Sequence, residues 1–142
     1  MRKEISIEEF IQNLCVKIPE KEEFLQLSRI IPINPKFTDN FIINFERGML
    51  LYALIAKFQP KTVLEIGTAE GYSTLCMGWA MSDHKIDGKI FTVDPKPHQQ
   101  VIERLIKINK TEKPVKMFLS REEHWKKFVS QKWIDKIEVI TG

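Results

Sequence analysis

The chain has 142 residues, 43% of them apolar and 29% charged, with a net charge of +3. That length suits one domain with a real core, and the apolar content excludes a disordered chain. No apolar run approaches a membrane span, and Met1-Arg2-Lys3-Glu4 leads into an acidic amphipathic segment instead of a secretory apolar core.

The basic excess is uneven. Residues 101–142 carry ten basic and six acidic side chains, while the first hundred are close to balance. An anionic substrate or a nucleic acid would suit that third, as would a solvated helical face. Aromatic residues do not alternate with the lysines as a base-stacking surface requires, which disfavours nucleic acid. The two cysteines, Cys15 and Cys76, are far apart and lie among apolar residues. They are expected to be buried free thiols, which points to a reducing, cytoplasmic setting.

Ser6 followed by Glu9 forms a capping box ahead of Phe10, Ile11, Leu14 and Ile18, predicting a helix over 7–17. A short helix is expected over 22–29, then an extended connector over 31–35, because residues before proline avoid the helical region. A third helix is expected over 44–58, ended by Pro60. Val63-Leu64-Glu65-Ile66 then reads as a strand covered on both faces, and 71–81 as a mostly apolar helix. Asp87-Gly88 turns the chain into a second strand, 89–94. Val101, Leu105 and Ile108 recur at helical spacing, so 97–109 is expected to be helical. Ser120 and Glu123 form a second capping box, opening a helix to about residue 131. The last strand is expected over 136–140.

This β-α-β-α-β order predicts an α/β fold: a Rossmann-like parallel sheet of three strands preceded by N-terminal helices. In such sheets ligands collect at the carboxyl ends of the strands. Glu65, the loop from Gly67 to Gly71 and Asp94 all fall there. Gly67 permits positive φ and close approach of a ligand. The N–H groups of Gly71, Tyr72 and Ser73 open a helix and can hold a carboxylate or phosphate, with the Ser73 hydroxyl as a further donor. Glu65 is placed to accept from an ammonium group or to orient the loop. Asp94 is placed to accept two ribose hydroxyls. Tyr72 either lines the pocket or staples its helix. His84, His98 and His124 form no ligand cluster, and no metal site is expected; Trp79, Trp125, Trp133, Met77 and Met81 read as packing residues.

Val63-Leu64-Glu65-Ile66-Gly67-Thr68-Ala69-Glu70-Gly71-Tyr72-Ser73-Thr74 resembles the first motif of class I S-adenosylmethionine-dependent methyltransferases. Its Gly-Tyr-Ser ending is similar to that of catechol-type small-molecule O-methyltransferases. Phe91-Thr92-Val93-Asp94 resembles the second motif, and Arg47-Gly48-Met49-Leu50-Leu51 the lead-in helix. The resemblance covers roughly residues 45–142, with 1–44 as a separate helical segment. It implies S-adenosylmethionine as cofactor, a small-molecule methyl acceptor, and a cofactor-binding set of Glu65, Gly67, Thr68, Ala69, Gly71, Tyr72, Ser73 and Asp94. Within it, Ser73 would contact the cofactor carboxylate and Asp94 the ribose. The resemblance assigns no catalytic base.

Ala69 stands where the nicotinamide fingerprint needs its second glycine, so a dehydrogenase is the weaker alternative. A non-catalytic interaction domain of the same fold is a third. The chain ends just after the third strand, where the family continues into strands bearing its metal ligands and much of its substrate pocket. A cofactor-binding half is therefore expected, with the edge of 63–66 paired to another copy or to further chain.

Overall fold

The computed structural model describes residues 3–32 and 45–142. Helix α1 (Ile7–Leu14) starts on Ser6, whose hydroxyl accepts from Glu9 N–H at 3.0 Å. It stops earlier than the periodicity predicts because Cys15 turns left-handed at φ 54°. Cys15 is exposed, contrary to expectation, whereas Cys76 is buried. Helix α2 (Lys21–Ile30) is opened by a Glu20/Glu23 capping box, and α3 (Phe45–Phe58) runs up to Gln59 and Pro60. The connector positions 33–35 and the expected helix start at Asn44 lie outside the described residues.

Strand β1 (Thr62–Ile66) leads into α4 (Tyr72–Asp83) and then β2 (Lys89–Asp94). The expected helix over 97–109 is not there. Strand β3 (Ile102–Ile106) instead pairs antiparallel with β4 (Val115–Leu119), with Arg104 opposite Met117. The segment satisfies two periodicities. Val101, Leu105 and Ile108 fit a helix, but Arg104 and Ile106 alternate as a buried strand face. Asn109 breaks any helix by folding its carboxamide oxygen back onto the N–H groups of Thr111 and Glu112 at 3.1 and 2.8 Å. The hairpin tip is tied to α2, where Gln26 donates to the Ile108 carbonyl and Lys110 pairs with Glu22 at 2.9 Å.

Helix α5 (Arg121–Phe128) carries the predicted Ser120/Glu123 capping box. It ends before residue 131 because Val129 is extended and Ser130 caps a separate turn, α6 (Gln131–Ile134). Strand β5 (Ile137–Thr141) closes the order. The three parallel strands lie β1-β2-β5, with Leu64 beside Phe91 and Phe91 beside Glu138.

One face of this sheet is packed and the other is open. Val63, Ile90, Ile137 and Val139 join the main core with α3 and α4. That core also takes Ile11, Phe24 and Leu27 from the first two helices. Phe24, Tyr52, Trp79 and Trp133 form its aromatic spine, Trp79 stacking on Trp133 at 4.7 Å. On the opposite face Leu64 and Ile66 are 66% and 77% exposed, so β1 is not the doubly covered strand its apolar run suggests. Among the described residues β1 pairs on one side only, and no helix is long and apolar enough to cross a membrane.

Candidate functional site

The carboxyl ends of β1 and β2 bring together the residues singled out in the sequence. Gly67 bends the chain off β1 at φ 90°, its N–H donating to Val93 O at 2.7 Å. A Cβ there would meet no atom within 4 Å, so the glycine faces open space. Ala69 and Gly71 are also left-handed, at φ 48° and 98°. Gly71 has a second reason to be glycine: a Cβ would collide with the Trp125 ring. Glu65, Gly67, Thr68, Ala69, Gly71, Tyr72 and Ser73 line a cavity of about 280 Å³, together with Glu70, Arg47 and Leu51.

Four consecutive N–H groups, from Glu70 to Ser73, find no acceptor among the described residues. They belong to the loop end and first turn of α4, where the helix leaves its donors free and concentrates positive potential. Tyr72 is among the residues lining the cavity, and its hydroxyl donates to Phe45 O at 3.0 Å, stapling α4 to α3.

Glu65 orients the loop through hydroxyls. The Thr92 hydroxyl donates to Glu65 Oε2 at 2.6 Å, and Thr74 donates to the same oxygen. Having one proton, Thr92 must then accept from Thr68, whose hydroxyl lies 2.6 Å away. Burial raises the Glu65 pKa, against the lowering effect of the two hydroxyls. Glu65 Oε1 takes no hydrogen bond among the described residues and remains available to a cation.

Asp94 sits behind the loop and does not line the cavity. Its Oδ2 accepts from Ala69 N–H at 2.9 Å and its Oδ1 from Lys96 N–H at 2.8 Å, with Arg121 Nη1 3.8 Å away. Burial pushes its pKa up, but those N–H donors and Arg121 outweigh it and hold the carboxyl below its ordinary value. Thr68 N–H also acts on this carboxylate, which offers about four acceptor sites and so keeps capacity for a further donor.

Sequence reading missed the side chains that brace this site. Arg121 donates to Ala69 O at 2.6 Å, to Lys96 O at 3.0 Å and to His98 Nδ1 at 3.0 Å. His98 is therefore unprotonated at Nδ1; burial and then Arg121 depress its pKa to about 4. Trp125 is more than a packing residue, since its Nε1 donates to Glu70 O at 2.9 Å. Buried Arg104 pairs with buried Glu70 and donates to Leu119 O at 3.0 Å, locking the hairpin to the glycine loop. The one visible clue was Glu70 inside an otherwise small-residue loop, a charge that needs a partner once buried.

An O-methyltransferase family model matches residues 16–136, and the chain belongs to that family. The matched stretch includes α2 and begins after α1 ends at Leu14. Its members use S-adenosylmethionine as methyl donor. No curated protein matches the chain.

Proposed function

We propose that this chain binds S-adenosylmethionine at the turn after β1 and provides the cofactor-binding half of an enzyme that methylates an oxygen of a small molecule. The observation that carries the reading is the row of N–H groups from Glu70 to Ser73, unpartnered among the described residues, on residues that line the cavity beside Gly67. The residues fit such a cofactor. A carboxylate suits the N–H row and the Ser73 hydroxyl, an ammonium group suits Glu65 Oε1, and ribose hydroxyls suit the remaining lone pairs of Asp94. When bound, the cofactor supplies an electrophilic methyl group for in-line transfer to oxygen. The protein's share is to hold the two reactants in line and exclude water. The cytoplasm, with its reduced thiols, is the proposed location.

The open edge of β1 carries a second part of the reading: in the working protein it pairs with a second copy or with further chain. A sharp monomer mass for the isolated chain in solution would remove the copy from that pair.

Calorimetric titration with S-adenosylhomocysteine, beside NAD, tests the site. Saturable binding of the former alone, lost in Asp94→Ala, is expected. Binding of NAD in its place would overturn the reading.

A further inference from the structure

One face of α5 grips the glycine loop from behind. Arg121 Nη1 holds the carbonyl of Ala69 and, one helical turn on, Trp125 Nε1 holds the carbonyl of Glu70. Residues four apart share a helix face, so two adjacent loop carbonyls meet two adjacent donors. Both side chains are buried, at 2% and 1% exposure, so water does not compete for these bonds. Neither lines the cavity, and both come from the connection after β2, remote in sequence from the glycine motif.

The consequence follows from peptide geometry. No peptide bond among the described residues is cis. In a planar trans unit the C=O and the following N–H point in opposite directions. Fixing Ala69 O on Arg121 turns the Glu70 N–H away from α5. Fixing Glu70 O on Trp125 does the same for the Gly71 N–H. Those two donors then extend the row already offered by Tyr72 and Ser73, making a concave cluster suited to an anion. Glu70 cannot roll back easily, because its carboxylate is held by Arg104 and by Lys96 at 3.5 Å.

We propose that Arg121 and Trp125 are positioning residues for the carboxylate end of the ligand, acting through the peptide planes of residues 69–71. The proposal rests on the cofactor reading above. For Trp125 it predicts an effect confined to the part of the ligand that carries the carboxylate, which a general packing role would not produce; Arg121 also faces Asp94 at 3.8 Å, so its variant is read by the ratio of the two affinities.

The test compares S-adenosylhomocysteine with 5′-methylthioadenosine, which keeps the adenosine and thioether but lacks the amino-acid end. Both are titrated into the full chain and into Trp125→Phe and Arg121→Lys, with thermal unfolding recorded alongside. In Trp125→Phe, which keeps an aromatic ring but no donor, the homocysteine compound should bind about three- to tenfold more weakly. The methylthio compound should be unaffected. Arg121→Lys should lower the ratio of the two affinities in the same direction, and carries the comparison if the tryptophan variant unfolds. Equal loss for both ligands, or an unchanged ratio, would overturn the proposal. A wild-type chain that binds neither ligand would instead remove the cofactor reading, and this inference with it.

Discussion

The turn after β1 and the connection after β2 reach the same end of the sheet but are held by different forces. The turn, residues 67–71, is short and takes its shape from its own backbone. Left-handed backbone at Gly67, Ala69 and Gly71 shapes it, and threonine hydroxyls anchor it through Glu65. The connection, residues 95–136, is long and held by buried guanidinium groups. Arg104 reaches Glu70 across 34 positions, and Arg121 reaches Ala69 across 52. A turn held by backbone geometry needs particular residues at fixed spacing, whereas a connection held by charge needs only that the right partner arrive in space.

That contrast gives its sharpest test at Arg104. Arg104→Ala leaves Glu70 buried with only the more distant Lys96, and should cost about 3–5 kcal/mol by urea unfolding. Replacing both partners together, Arg104→Met with Glu70→Gln, should recover much of the loss. A cost under about 1 kcal/mol for the single change would mean that the pair is solvated.

The two loop glycines separate backbone from packing. Gly71→Ala suffers both a left-handed φ and collision with Trp125, and should destabilise by about 3 kcal/mol. Gly67→Ala meets only the backbone penalty, about 1 kcal/mol, since no atom lies near its Cβ. Equal costs at the two sites would contradict the contact with Trp125.

A further effect is set by pH. His124 on α5 is fully buried without a hydrogen-bond partner for either ring nitrogen among the described residues. Burial first, and Arg104 next, push its pKa down to about 4 from an ordinary 6.5. Its neutral form therefore favours the folded state. That contribution is complete above pH 6.5 and is lost as pH falls toward 4, where the unfolded chain binds the extra proton. Melting temperatures should drop through that window, with roughly 3 kcal/mol at stake. His124→Phe should flatten the drop; an unchanged slope would assign it to other groups.

The exposed face of β1 shows why one expectation from sequence failed. An apolar run such as Val63–Ile66 records what a strand can bury, not what is there to cover it. Leu64 and Ile66 point to the side where no described element packs. The predicted helix over 97–109 failed for a related reason. Its apolar spacing suits two periods, and the choice falls to Arg104, whose guanidinium is buried against Glu70 only when the segment is a strand. The broken helix at Ser130 was missed because serine caps and serine interiors look alike until the preceding residue is seen to be extended.

By itself the sequence determined the order of the parallel strands and helices, the glycine turn, and the family to which the chain belongs. These are set by contacts a few residues long: alternation, capping and the backbone freedom of glycine. Only the tertiary structure decided that Asp94 is clasped behind the loop, that Arg104 and Arg121 are buried, and that Trp125 fixes the peptide planes of the site. Each depends on groups that are distant along the chain, and a buried charge or donor finds its partner only when folding has removed water from between them.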